Sequence, residues 1–271
     1  MPKILNEKQI NFFNKNGFLF PIKIMEEKEA FLYRTSLEDY EKSKGSKISG
    51  NDKHKSHLLF SWVNKIVNNK NILDAIEDIL GPNILCWGSS FFIKEANENS
   101  FVSWHQDAEY WGLEPDNVVT AWIAISDTSL ETGPMEVIPK SHKWKNLKHK
   151  ETFNKNNLLS RGQELNINFS EHNTIAMPLK AGEVSLHHVK LAHSSKKNNT
   201  NDRRIGIAIR YTTPEVKQKK VTNGKDSALL VRGKDKFMNF THEILPNFNI
   251  EKEAILNHKI ASENHHKILM K

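Results

Sequence analysis

The chain has 271 residues, a formal net charge of +7 and a single cysteine, Cys86. That length fits one domain whose core buries roughly three-quarters of the unfolded surface, and one cysteine excludes an internal disulfide framework. No apolar run approaches the ~20 residues of a membrane-spanning helix and the N-terminus lacks the apolar stretch of a secretory signal, so a cytoplasmic protein without membrane attachment is expected.

Residues 6–16 and 26–44 read as helices, with Phe12/Phe13 and Phe31/Leu32 supplying their apolar faces. The polar, Gly/Ser-rich stretch 43–52 reads as a mobile loop. Apolar spacing through Leu58, Leu59, Trp62, Val63, Ile66 and Val67 predicts a third helix, and a fourth over 70–80 stops at Gly81-Pro82. From there strand signals dominate: 84–94, 101–106, 118–126, 134–138, 173–178, 183–188 and 204–212 are short, β-branched or aromatic, and bounded by Gly, Pro, Asn or Asp. Between them, 143–172 lacks periodicity, and a polar insertion of that length suggests a flexible flap over a site. Residues 246–271 read as a polar helix packed on the outside. A helical N-terminal segment (residues 1–82), a strand-rich core of about 83–215 and a C-terminal extension 216–271 therefore form one α+β domain, with a closed β core and helices on one side.

The positive charge raises the question of nucleic acid, which demands a clustered basic footprint. Here the excess is lysine scattered through Asn- and Ile-rich sequence. Three of the few arginines, Arg203, Arg204 and Arg210, crowd one strand, which suits a small anionic ligand better. No nucleic acid is expected. Cys86 lies among Leu85 and Trp87 and reads as a buried, inert thiol.

The chemistry is concentrated in His105-Gln106-Asp107 and a distant histidine. A His-X-Asp pair plus one remote His is the ligand set of the facial triad that holds non-haem Fe(II) with positions open for co-substrate and O2. In an extended strand, residues i and i+2 leave one face, so His105 and Asp107 reach one metal while Gln106 points away. Such tripeptides are common by chance, and His187, His188 and His193 all compete for the third position. Strand phase separates the adjacent arginines. Arg204 shares a face with Gly206 and Ala208, which leave room inside a barrel, whereas Ile205, Ile207 and Ile209 pack outward under the helices. Arg203 shares the isoleucine phase and is expected at the strand edge facing solvent.

Trp104-His105-Gln106-Asp107, Thr120-Ala121-Trp122-Ile123, Gly133-Pro134-Met135-Glu136-Val137-Ile138-Pro139-Lys140-Ser141-His142, Gly182-Glu183-Val184, His193-Ser194-Ser195 and Arg203-Arg204 follow one another in order. In that order and spacing, from about residue 8 to about residue 213, the chain resembles the phytanoyl-CoA dioxygenase family of Fe(II)/2-oxoglutarate oxygenases, and within it the bacterial small-metabolite branch. The resemblance implies a double-stranded β-helix, or jelly roll, and a metal held by His105, Asp107 and His193. His193 takes the third place because Ser195 stands two residues on and Arg204 eleven, as after the family's distal histidine; His188 has neither and reads as a hydrogen-bonded strand residue. By the same resemblance Arg204 grips the far carboxylate of 2-oxoglutarate and Ser195 donates to it. Trp122 occupies a family co-substrate position, although it reads almost equally well as plain core; Lys94 resembles the lysine that precedes the family's His-X-Asp block and is counted with the cofactor-binding candidates, with contact to co-substrate or to substrate both open. Gln106, between the two ligands, is counted with the cofactor-binding candidates, and His142 reads as structural.

The family's halogenating branch lacks the carboxylate that Asp107 supplies, so the implied reaction is hydroxylation of a small molecule with release of succinate and CO2. Glu109, Tyr110 and Trp111 form a candidate substrate wall that could accept a cationic or zwitterionic group; ordinary packing is the competing reading. A non-catalytic jelly-roll binding module and a nucleic-acid-directed oxygenase are the alternatives. The oligomeric state is expected to be monomer or homodimer.

Overall fold

The computed structural model describes residues 2–145, 147–168, 172–221, 224–246, 250 and 252–270. Helix α1 (Glu7–Asn16) is closed at its start by a capping box, in which Asn6 accepts from the Gln9 backbone and the Gln9 side chain accepts from the Asn6 backbone N–H. Gly17, at φ 85°, ends it in the left-handed conformation and turns the chain into β1 (Phe18–Lys23). Helix α2 (Glu27–Lys44) buries Ala30, Leu37 and Glu41, not the expected Phe31 and Leu32, which are both 64% exposed. The stretch expected as a loop is partly built in: Ile48 is buried, its N–H bonded to Glu41, and Gly50–Lys53 is a 3₁₀ turn. The third predicted helix divides into a 3₁₀ turn at Ser56–Leu58 and α3 (Ser61–Val67). Helix α4 (Lys70–Leu80) follows, capped by Asn69.

Strands β2 (Ile84–Lys94) and β3 (Val102–His105) lead to a one-turn helix α5 (Ala108–Trp111), then β4 (Leu113–Glu114), β5 (Val118–Ala124) and β6 (Met135–Val137). The insertion expected as a flap holds a two-stranded ladder, β7 (His149–Glu151) with β8 (Gln163–Leu165); its residues 146 and 169–171 lie outside the described residues. Beyond it come β9 (Ile175–Met177), β10 (Glu183–His188), β11 (His193–Ser195), β12 (Arg204–Thr212), β13 (Lys217–Gln218), β14 (Ser227–Arg232), β15 (Thr241–His242) and α6 (Lys252–Leu269). Seven strands form one sheet in the order β1-β10-β5-β12-β2-β14-β15, and four form a second in the order β3-β11-β6-β9. The result is a mixed α/β molecule with a sheet-rich core.

The outer face of the large sheet is apolar. Ile205, Ile207 and Ile209 from β12, Phe91 and Ile93 from β2, and Ala121 and Ile123 from β5 form one cluster with Val63, Ile66, Ile72 and Ile76 of α3 and α4. Cys86 is part of that cluster, fully buried, and burial pushes its thiol up. The sheet does not stop at 215. β14 pairs with β2, and Glu243 beyond it accepts from the buried Lys55 at 2.6 Å and faces His57 Nε2 at 2.8 Å. His57 Nδ1 in turn lies 2.8 Å from Ser89 Oγ. Ser89 and His57 of this serine–histidine–glutamate chain are fully buried and the Glu243 side chain nearly so; it lies outside the cavity described below and braces the C-terminal segment.

Arg203 corrects one expectation. Its phase is that of the isoleucines, yet it is buried, donating to Glu41 at 2.6 and 3.1 Å and to Glu95 at 2.6 Å. Burial opposes the Glu41 charge, but Arg203 and the Ile48 N–H hold its pKa below the ordinary value. A depressed carboxylate contributes stability above its unfolded pKa and loses it as pH falls through the folded one. Arg203→Ala strands the Glu41 charge and is expected to lower unfolding free energy by about 3 kcal/mol at neutral pH. The deficit should shrink in acid as Glu41 protonates, which urea melts at pH 7 and below pH 4 will check.

Candidate active site

The inner face of the large sheet and the facing small sheet enclose one cavity. From the large sheet come Ser90, Phe92, Thr120, Trp122, His187, Arg204, Ala208 and Arg210; the small sheet and its turns supply Val102, His105, Asp107, His193 and Ser195. His105, Asp107 and His193 converge: one ligand atom of each lies within 4.8 Å of the others, and all three are buried. β3 and β11 bring the histidines together by pairing His105 with His193.

The donor chemistry fits a metal. Each histidine is oriented through Nδ1, His105 toward the Ser103 carbonyl and His193 toward the Leu191 carbonyl, both at 2.9 Å. A protonated Nδ1 leaves the Nε2 lone pair free for a metal and fixes the ring. His105 Nε2 lies 3.4 Å and His193 Nε2 3.9 Å from the Asp107 carboxylate. Burial opposes ionisation of Asp107, but the histidines facing it hold it far below the usual carboxylate range. Burial and the neighbouring His105 push the His193 pKa well down, favouring the neutral ring that ligation needs.

Asp107 arrives by a different route from the one its spacing suggests. β3 ends at His105, and Asp107 has φ −64° and ψ −36°, where the chain enters α5. A turn, not a strand, delivers it. Gln106, counted with the cofactor-binding candidates, lies outside the cavity: its side chain donates to the Lys190 carbonyl at 2.8 Å and accepts from the Leu147 N–H at 3.0 Å, bracing that turn.

At one end of the cavity Arg204 is buried, with one Nη1 bond to the Gly133 carbonyl at 2.7 Å and no described partner for Nε. Its guanidinium sits 5.1 Å from the Trp122 ring centre. Ser195 lines the cavity nearby, and Lys94, paired with Arg204 across the ladder, donates to Ser195 Oγ at 2.7 Å. Lys94 does not itself line the cavity. Burial and the Arg204 charge lower its pKa to about 6, and its contact with the cavity lining runs through Ser195 Oγ. Gly206 is required by Trp122: a Cβ there would lie 1.9 Å from Trp122 Cζ2. Gly206→Ala is expected to cost about 1–3 kcal/mol through overpacking, read as a lower urea midpoint with altered tryptophan emission.

The three residues of the predicted substrate wall do not share one environment. Tyr110 and Trp111 are buried and line the cavity, but Glu109 is exposed, because three consecutive residues of a one-turn helix cannot share a face. The aromatic faces already carry cations. Arg161 lies 4.8 Å from the Tyr110 ring centre and Arg210 5.3 Å from that of Trp111. A cationic guest there would meet like charge.

His187, foreseen only as a competitor for the third ligand position, is separated from His188 by the structure. His187 faces inward with neither ring nitrogen bonded, whereas His188 accepts from the Lys190 N–H at 3.1 Å on the other face. Alternation along β10 carries that distinction. His54, and His265 and Leu269 of α6, also line the cavity, so the C-terminal helix is a wall of the site and not only an external layer. Leu158, Leu159, Ser160 and Gln163 cover it from the insertion. His142 Nε2 lies 3.2 Å from the Asn14 carbonyl, a structural place.

The phytanoyl-CoA dioxygenase (PhyH) family matches residues 22–206, more than half of the chain. The protein belongs to that family. Among curated relatives, a probable alpha-ketoglutarate-dependent hypophosphite dioxygenase of Stutzerimonas stutzeri is 30% identical over 162 residues, covering 59% of this chain and 56% of that protein. The chain thus spans little more than half the length of that relative. The solved apo structure of the non-heme monooxygenase ThoJ is 31% identical with a TM-score of 0.84, covering 96% of this chain and 97% of that one. A ThoJ–Ni complex matches at 30% identity with a TM-score of 0.79, covering 96% and 98%. Among the described residues no helix is long and apolar enough to cross a membrane.

Proposed function

We propose that this PhyH-family protein is an Fe(II)- and 2-oxoglutarate-dependent dioxygenase that hydroxylates an unactivated C–H bond of a small metabolite, built on a single jelly-roll domain. The observation that carries the reading is the pair of histidines tied back through Nδ1 so that both Nε2 atoms converge on the buried Asp107 carboxylate. Relatives named as a dioxygenase using alpha-ketoglutarate and as a non-heme monooxygenase with a nickel complex support it. Two sheets enclosing the site between them support the jelly roll.

In this reading His105, Asp107 and His193 hold Fe(II), and Arg204 with Ser195 binds the far carboxylate of 2-oxoglutarate. Fe(II), 2-oxoglutarate and O2 together supply the oxidising chemistry, with succinate and CO2 released. The chain's own residues supply position and dryness. The Arg204 fork matches a carboxylate through paired charge-assisted hydrogen bonds, and Trp122 keeps it from swinging. Lys94 fixes Ser195 Oγ from behind, leaving its hydroxyl proton for the ligand. Tyr110, Trp111, Leu158 and Leu159 exclude water from the reacting end. A binding module of this shape would gain nothing from two pre-oriented ligand histidines beside a buried arginine that has no ion pair among the described residues.

Succinate formation is the direct check. Release of succinate from 2-oxoglutarate should require Fe(II), rise with a substrate found by metabolite screening, and stop with a chelator. Metal-independent or absent turnover across the screen would contradict the proposal.

A further inference from the structure

Opposite Arg204, the far end of the cavity carries a second buried cation. Arg210 shares the inward face of β12, six residues along, and is only 8% exposed. One of its Nη atoms donates to Ser90 Oγ at 2.7 Å, Nε has no described partner, and the residue makes no ion pair among the described residues. The Asp107 charge acts on it only through space, and that carboxylate is committed to the metal triad.

Arg210 is one member of a polar row. Across the sheet, His187 of β10 pairs with Thr120 of β5, Thr120 with Arg210 of β12, and Arg210 with Gly88 of β2. Thr120 Oγ1 and both His187 ring nitrogens make no hydrogen bond among the described residues, although these residues are 2% and 1% exposed; His187 Nε2 lies 3.8 Å from the Asp107 carboxylate, and Nδ1 has no such contact. Gly88 adds no side chain; a Cβ there would meet only His265, at 3.7 Å. Buried polar atoms without partners cost about 1–3 kcal/mol each, and native proteins keep few of them. Thr120 Oγ1, His187 Nδ1 and Arg210 Nε, three such atoms in one row facing one cavity beside a guanidinium with no ion pair among the described residues, mark a site shaped for an oxyanion.

We infer that the primary substrate is a small anion whose carboxylate, phosphonate or phosphate group seats on Arg210, Thr120 and His187, at the end of the cavity away from Arg204. This deepens the dioxygenase reading and rests on it for the word substrate; the anion site itself stands on the polar row. The two arginines then divide the labour, with Arg204 on the co-substrate and Arg210 on the substrate. Trp111 and Phe92, 5.3 and 5.8 Å from the Arg210 guanidinium, hold it in place from the side.

The test is calorimetric titration of the Fe(II)-loaded protein under anaerobic conditions with acetate, methylphosphonate and tetramethylammonium, each with and without saturating 2-oxoglutarate. Acetate or methylphosphonate should bind saturably with 2-oxoglutarate already in place, and tetramethylammonium should not. Arg210→Gln should weaken that binding at least about tenfold, whereas Arg210→Lys, which keeps the charge and loses the fork, should recover part of it. Which of the two anions binds more tightly separates a carboxylate from a phosphonate substrate. Anion binding that disappears when 2-oxoglutarate is present, or that is equal in Arg210→Gln and the parent, would overturn the inference, as would binding of neither anion. The 2-oxoglutarate titration in the same samples judges the dioxygenase reading separately: its failure there with Arg210-dependent anion binding intact would leave the anion site standing and remove the co-substrate assignment.

Discussion

Asp107→Ala is expected to abolish substrate-coupled turnover, by more than about a hundredfold, while the protein still folds. The carboxylate is the only anionic member of the His105–Asp107–His193 cluster, and even changes in groups that merely orient metal ligands cost about 10–100-fold in affinity or activity. Folding should survive because the Asp107 carboxylate faces the histidines of the site, each independently held except His187. Succinate release at saturating 2-oxoglutarate, together with the circular dichroism melt, checks both halves. Near-normal hydroxylation by this variant would remove the triad. Freeing a metal position should produce little chlorination when chloride is added, since the surrounding groups stay arranged for hydroxylation.

Arg204→Ala should lower apparent 2-oxoglutarate affinity on the order of a hundredfold. Truncating a buried charged partner costs a few kcal/mol, and each ~1.4 kcal/mol is a factor of ten. Arg204→Lys should restore only part, because a point charge cannot reproduce the planar fork. Arg203→Ala should alter co-substrate affinity less than about threefold, as its guanidinium is bound to Glu41 and Glu95 on the helix side of the sheet. Its cost belongs in the melting curve. The 2-oxoglutarate dependence of succinate formation for the three variants side by side decides the point, and a larger effect at Arg203 would place the cavity on the wrong face of β12.

The contrast between these neighbours shows what the sequence could and could not convey. Alternation in 204–210 was enough to place Arg204, Ala208 and Gly206 inside and the isoleucines under the helices, because period-two geometry is local. The burial of Arg203 was not legible, since its partner Glu41 lies on a helix distant in sequence. His105 and His193 stood out through family spacing, yet the backbone at Asp107 leaves the strand, a change that residue type does not announce. β11 is three residues long and too short for a periodic signal. β14 was hidden by polar flanks, and the cavity-facing His265 of α6 was hidden in a helix whose apolar residues are split between buried Ile268 and exposed Ile255, Leu256 and Ile260. Arg210 obeys the same alternation as Arg204, but its meaning depends on Thr120 and His187 from two other strands. Local patterns were readable; what the topology brings together from afar was not.

The most direct test of the account is the visible charge-transfer absorption that a chelate of Fe(II) and 2-oxoglutarate produces, recorded anaerobically. The band should appear when both are added to the parent protein and to His188→Ala, whose histidine faces the other side of β10. It should be absent from Asp107→Ala and from His193→Ala. A parent protein without the band, or a band undiminished in Asp107→Ala, would contradict the assignment of His105, Asp107 and His193 as the iron site.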